Sequence, residues 1–275
     1  MATATATAAP EPGPLVPTTP GVPGHGRAWE LVTPGEQASM VLWGFHAVAD
    51  DGSRVGYAIS GQLPGSSGAP GLPPAIAVRG ADGWTSTQTP VPEPELVLDV
   101  AWPLAFNSNL TDSIQPDEPE TILHRGPPEG PFEPLVELEG GASHLLATSA
   151  DLEHVVFRSA KHYLPADAER TEGQSLYEID GSVLRLVDVD NGGNLISTCD
   201  TDDDLMRAGR RAAISRDGSR IFFGQRPCGA FSSARVYLRE GGTTTEISAS
   251  QCDLADCGPS GEVFLAGITP SGSSA

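Results

Sequence analysis

The chain has 275 residues, of which 39% are hydrophobic, enough to bury a sizeable core. Thirty-six acidic residues against sixteen basic ones leave a formal net charge of -20, which repels nucleic acid and anionic lipid surfaces and sets DNA, RNA and membrane-surface partners aside. Glycine (32) and proline (25) are heavy allotments of turn formers, so a helical protein is excluded in favour of short strands and loops. Only one of the basic residues, Lys161, is a lysine, a skew in keeping with a high-GC bacterial genome. No apolar run approaches the ~20 residues that span a bilayer, and the N-terminus has neither the basic nor the apolar region of a signal peptide.

Residues 1–26 alternate Ala and Thr and then run through Pro- and Gly-rich sequence that cannot bury enough apolar surface to offset its ordering entropy. They are read as a disordered arm. Order is expected from Arg27, where Ala28 to Val32 alternates like a strand before Thr33-Pro34-Gly35 ends it.

A first repeat unit follows. Val48, Asp51, Gly52, Ser53, Arg54, Val55 and Tyr57 stand at the same offsets as Ile214, Asp217, Gly218, Ser219, Arg220, Ile221 and Phe223. Each Asp-Gly is a turn signal between β-rich runs, which makes the stretch a hairpin. A degenerate copy surrounds Asp151, with Val155 and Phe157 retained and the turn glycine lost, and a last copy opens at Ile268 with Ser271 in the aspartate position. Second hairpins recur at Ile76 to Trp84, Leu176 to Gly181 and Val236 to Ile247, so that each unit is predicted to be one four-stranded antiparallel sheet.

The intervals between Asp51, Asp151, Asp217 and Ser271 are 100, 66 and 54 residues. Repeats of four strands run ~40 to 50 residues, so the long interval has room for one more unit. Strands near Leu96 to Trp102, a turn from Asn107 to Ser113 and a later strand from Thr121 to Gly126 are expected to form it. A lone four-stranded sheet cannot bury both faces, and tandem copies that stack on one another fit a β-propeller; a β-sandwich would not need a repeat in fixed register.

The expected organisation is therefore an all-β propeller over residues 27–275, with approximate blades at 27–92, 93–140, 141–198, 205–250 and a partial one at 260–275. At Ile214-Ser-Arg-Asp-Gly-Ser-Arg-Ile-Phe-Phe223, followed by Val236-Tyr-Leu-Arg-Glu-Gly-Gly242, the chain resembles the WD40-like PD40 repeats of the TolB-like propeller family, with Arg216 where those repeats usually carry proline. The resemblance implies a six- or seven-bladed propeller, usually exported, that acts as a protein-interaction platform. Only about four blades and the start of a fifth are visible, which makes the sequence a candidate fragment of a longer protein.

No catalytic, cofactor-binding or metal-binding residue is singled out. A G-x-S-x-G nucleophile elbow is absent, and Ser215-Arg216-Asp217-Gly218 lacks the spacing and tryptophan of a sialidase Asp-box. The loop from Asp188 to Asp204 has the oxygen-rich look of a calcium site but misses the EF-hand pattern at Gly192 and Cys199, and a solvated acidic loop between blades is the plainer reading. His25, His46, His124, His144, His154 and His162 stand at no metal-ligand spacing. Trp29, Trp43, Trp84 and Trp102 read as blade-packing residues, and Asn109-Leu110-Thr111 is a glycosylation sequon.

Cys199, Cys228, Cys252 and Cys257 all fall in loops near the C-terminal end, where disulfides, free thiols and a metal site are all open, disulfides leading. The functional expectation is an extracellular or cell-surface, non-enzymatic platform for a protein or cell-surface partner, with no cofactor and no membrane insertion. The alternatives are a propeller-fold glycosidase or other polysaccharide-acting enzyme and a wall-attached spacer.

Overall fold

The computed structural model describes Val32, residues 40–60, Leu63, residues 74–81, 83–89, 105–116, 122–137, 144–171, 173–198 and 213–225, Cys228, and residues 235–249 and 268–273. Among these, strands are the rule and a single 3-10 turn, Pro165–Asp167, is the exception. The strands form four separate four-stranded sheets, each a simple antiparallel meander. Unit 1 holds β1 (Met40–Val48), β2 (Arg54–Ser60), β3 (Pro74–Gly80) and β4 (Gly83–Gln88). Unit 2 holds β5 (Ala105–Phe106), β6 (Ser113–Pro116), β7 (Ile122–Gly126) and β8 (Glu133–Glu137). Unit 3 holds β9 (His144–Thr148), β10 (His154–Ser159), β11 (Ser175–Asp180) and β12 (Val183–Leu186). Unit 4 holds β13 (Ala213–Ile214), β14 (Arg220–Gln225), β15 (Arg235–Glu240) and β16 (Thr243–Glu246).

The burial patterns show how these sheets are used. β10 and β14 are buried at nearly every position, so both of their faces are covered, whereas β4 and β12 alternate between exposed and covered. A strand of a half-solvated sheet alternates; one sandwiched between neighbouring sheets does not. The core clusters accordingly cross unit boundaries. Ile114 and Leu123 of unit 2 pack with Leu152, Val155 and Phe157 of unit 3, and Val156, Leu176 and Val187 of unit 3 pack with Ile221 and Phe223 of unit 4. In units 3 and 4 the aromatic six residues past the turn aspartate pairs across its own sheet: Phe157 stacks on Tyr177 and Phe223 on Tyr237.

What turns a row of sheets into an arc is the turn between first and second strands. The amide of Asp50 donates to the carbonyl of Ser108 (2.9 Å), Ser108 to Ala150 (2.7 Å), Ala150 to Arg216 (2.8 Å) and Arg216 to Pro270 (2.7 Å). Five consecutive turns are thereby tied edge to edge in register, including the turn at residues 268–273. The row also curves back, because Arg216 of unit 4 forms an ion pair with Asp50 of unit 1. Sheets that face one another in series, with equivalent turns gathered around a common centre, make an incomplete β-propeller, as the repeats predict.

The same ladder locates the weak copy. Asn109 stands where Asp51, Asp151 and Asp217 stand, so the 100-residue interval divides at this turn. The predicted strand at Leu96 to Trp102 lies outside the described residues; Ile122–Gly126 is the third strand of unit 2, close to its predicted bounds. The degenerate copies keep their turn conformation without glycine. Leu110 and Leu152 adopt φ of 52° and 61°, beside 69° at Gly52, 76° at Gly218 and 65° at Gly272. Such a backbone costs a leucine ~1–2 kcal/mol, and both side chains are almost fully buried (1% and 0% exposed), which offsets it.

Candidate functional site

The turns that build the ladder also gather the acidic residues of the repeat. Asp217 Oδ1 accepts from Ser215 Oγ (2.6 Å), from the Ser219 amide (3.1 Å) and from Ser219 Oγ (2.9 Å). Asp151 Oδ1 accepts from Ser149 Oγ (2.6 Å) and the Glu153 amide (3.1 Å), and Asp51 from the Ser53 amide (2.8 Å). Hydrogen bonds to the charged form hold a carboxylate ionised. The Ser215 hydroxyl and the Ser219 groups bring Asp217 down to about 2, and the same kind of bonding lowers Asp151, chiefly through Ser149, and Asp51, through Ser53. These carboxylates close turns and are poorly matched to proton transfer near neutral pH.

A shallow depression of about 450 Å³ lies beside them, lined by Ala150, Asp151, Arg216, Asp217, Pro270 and Ser271. Arg216, the residue that replaces the usual proline of the repeat, and its partner Asp50 are both half exposed at this mouth. A proline at 216 would have removed both this cation and the amide that donates to Pro270.

Elsewhere the structure redistributes the residues that the sequence brings forward. The calcium reading of the loop from Asp188 fails within the described residues. Asp188 is fully buried and paired with Arg170, itself held by Ser175 Oγ at 2.7 Å; burial pushes its carboxyl up to about 6 in spite of that arginine. Asp190 Oδ1 is occupied by the amides of Gly192 (2.8 Å) and Asn194 (2.9 Å), and Asn191 turns to unit 4, where it accepts from the Thr244 amide (2.7 Å) and donates to the Thr244 carbonyl (3.1 Å). The loop is thus a clip between units. Asp200, Asp202, Asp203 and Asp204 lie outside the described residues.

His154 and His162 do not meet as a pair. His154 Nδ1 lies 2.8 Å from Glu178 Oε1, and His162 Nδ1 lies 3.6 Å from Asp167 Oδ1, at the floor of a buried cluster in which the Tyr177 hydroxyl also bonds Asp167. Trp84 packs against the Tyr57 cluster of unit 1, as a blade-packing residue should. In the sequon, Leu110 is buried while Asn109 is exposed at the turn. Cys228 is disulfide-bonded, and Ser197 Oγ and Thr198 Oγ1 lie 3.7 and 3.5 Å from its sulfur. The other three cysteines lie outside the described residues, as do Trp29, Trp102 and His25.

No protein-family model and no curated protein matches the chain. Among solved structures it is similar to TolB from Acinetobacter baumannii, at 11% identity and a TM-score of 0.44 over 75% of this chain and 43% of that one. A putative TolB from Agrobacterium tumefaciens aligns at 13% identity and a TM-score of 0.43, over 75% of this chain and 62% of that one. The β-propeller domain of the Trilobed protease from Pyrococcus furiosus aligns at 12% identity and a TM-score of 0.40, over 73% of this chain and 56% of that one. The chain thus matches between about two fifths and three fifths of the length of these proteins. Its fold rests on its own four sheets and the ladder that joins them.

Proposed function

We propose that the chain is a non-enzymatic β-propeller of the cell envelope or exterior that serves as a platform for a protein partner, and that the partner docks on the turn face around Arg216 and Asp50. The observation that carries this reading is the state of the axial carboxylates. Asp51, Asp151 and Asp217 are engaged by their own turns and kept ionised, whereas hydrolysis of a glycosidic bond needs one carboxyl held protonated opposite another that attacks or activates water. Arg216 and Asp50, by contrast, are exposed and, among the described residues, pair with each other across the mouth, so a partner can exchange that pair for its own charges at little desolvation cost. The disulfide at Cys228 supports an oxidising compartment and hence export.

Photocrosslinking in intact producing cells tests the reading. A crosslinker placed at position 216 is expected to give one discrete protein adduct, and one at Val183, exposed on the outer strand β12, none. Equal labelling at both positions, or release of sugar from a glycan panel by the purified protein, overturns it in favour of a polysaccharide-acting enzyme or an inert spacer.

A further inference from the structure

Away from the axis, a recess of about 460 Å³ opens between units 3 and 4, and its two walls differ in how their charges are used. On the unit-3 wall, from β10, β11 and β12, the charges satisfy one another. His154 Nδ1 pairs with Glu178 Oε1 at 2.8 Å and its Nε2 lies 3.8 Å from Asp180 Oδ1, while Arg185 Nη1 bonds Asp180 Oδ2 and lies 4.0 Å from Glu178 Oε2. The unit-4 wall offers Ile221, the glycine turn Gly241-Gly242 and Arg239.

Arg239 is half-buried, and among the described residues it donates one hydrogen bond, from Nη1 to Thr244 Oγ1 at 2.8 Å. That leaves most of a five-donor planar fork, built to grip a carboxylate through two parallel bonds, at the edge of the recess. Burial works against its charge and Glu178 across the recess supports it. The glycine turn adds room: a Cβ on Gly241 or Gly242 would meet nothing within 4 Å.

We propose that this recess binds a small ligand that has a single carboxylate group and carries a hydrogen-bond donor at its other end. The carboxylate takes the free fork of Arg239, and the donor reaches the oxygens of Glu178 or Asp180 on the facing wall. The ligand bears one negative charge, because a dianion held by Arg239 would face two carboxylates at close range. The volume falls within the range of small-ligand pockets, roughly 300–1,000 Å³. A uronic sugar, with hydroxyl donors, and a free dipeptide, with an ammonium donor, share this chemistry. The recess shares the turn residues Gly218 and Ser219 with the axial face but contains neither Arg216 nor Asp50, so its failure leaves the platform reading standing.

NMR titration of the whole chain with glucuronate, with L-alanyl-L-alanine and with inorganic phosphate tests the proposal. Saturable shifts are expected at the amides of Ser219, Gly241 and Gly242 with one or both carboxylates. Binding of glucuronate alone identifies a sugar ligand, and of the dipeptide alone a peptide one. R239Q is expected to weaken binding at least tenfold, about 1.4 kcal/mol, with R239K between it and the parent. Phosphate binding more tightly than both carboxylates, shifts that map elsewhere, no saturable shift at all, or unchanged affinity in R239Q overturns it. Should R239Q fail to fold, the shift map of the parent protein and R239K carry the test.

Discussion

The junction between units 2 and 3 and the junction between units 3 and 4 are built from equivalent turns and reach different ends. At the first, the turn residue Leu152 enters the core beside Ile114 and Leu123, and Arg125 of unit 2 caps the turn from below, donating to the carbonyl of Leu152 (3.1 Å) and pairing with Glu153 (3.1 Å). At the second, the turn residue is Gly218, and His154 occupies the space that a side chain would need: a Cβ on Gly218 would lie 2.1 Å from the imidazole. The apolar plug fills the turn position at its junction with a buried side chain. The glycine junction is held instead by the Ile221 and Phe223 core below and the Asn191 clip to Thr244, and a charged recess remains between the walls. A propeller can thus vary one turn residue from blade to blade, and the choice sets whether that space is filled by the turn's own leucine or by a histidine of the neighbouring unit.

The comparison can be broken most forcefully at the plug. Leu152→Ala keeps the strained backbone and removes the buried side chain that offsets it, so a loss of about 2–5 kcal/mol is expected, read as a lowered midpoint in urea unfolding. An unchanged midpoint would show that the plug is dispensable. At the glycine junction the expected loss is smaller. Gly218→Ala should cost about 1–3 kcal/mol by overpacking against His154, and much of that should return in the Gly218→Ala/His154→Ala double variant; additive losses would place the strain in the backbone instead.

The smallest effect is a matter of pH. The folded-state values of Asp217, Asp151 and Asp51 are depressed, so their turns contribute stability that is present above the ordinary value of 3.8 and lost as pH falls, through about 2 for Asp217. Unit 2 differs, because there Asn107 Oδ1 accepts the Thr111 and Asp112 amides (2.8 and 3.2 Å). Amide exchange measured between pH 4 and 2.5 should therefore show the Ser219 and Glu153 amides losing protection ahead of Thr111. Parallel loss in all three would show that the turn carboxylates are not what holds them.

Much of this fold was legible in advance because its repeat unit is local. Asp-Gly turns and alternating β-rich runs place hairpins from short windows of sequence, and the aromatics Tyr57, Phe157 and Phe223 recur at one offset because that position is buried in each sheet. Unit 2 was faint for an equally local reason: it carries Asn109, Leu110, Ser113 and Gln115 where the clear copies carry Asp, Gly, a β-branched residue and an aromatic. Its turn survives because Leu110 accepts a positive φ in return for burial beside Ala49 and Ile76.

The arginines show the same divide. Arg54 and Arg220 were visible as a repeated residue, yet only the structure shows that each donates to a carbonyl of the next turn, Leu110 at 3.1 Å and Ser271 at 3.2 Å. In unit 2 that work passes to Arg125 on another strand, paired with Asp112 at 2.8 Å, and no spacing rule announces the exchange.

The sequence by itself therefore determined the all-β class, the four-stranded unit and the turn chemistry, since each depends on residues a few positions apart. It left the grouping of His154, Glu178, Asp180, Arg185 and Arg239 invisible, because these come from four strands of two units and meet only when the sheets pack. The acidic loop is the sharpest case. Asp188, Asp190 and Asn191 look alike as oxygen donors in the chain, but tertiary packing buries the first against Arg170, ties the second into its own turn and sends the third across to unit 4. Burial and distance to another unit are properties of the packed sheets, and they decide what each of those side chains can do.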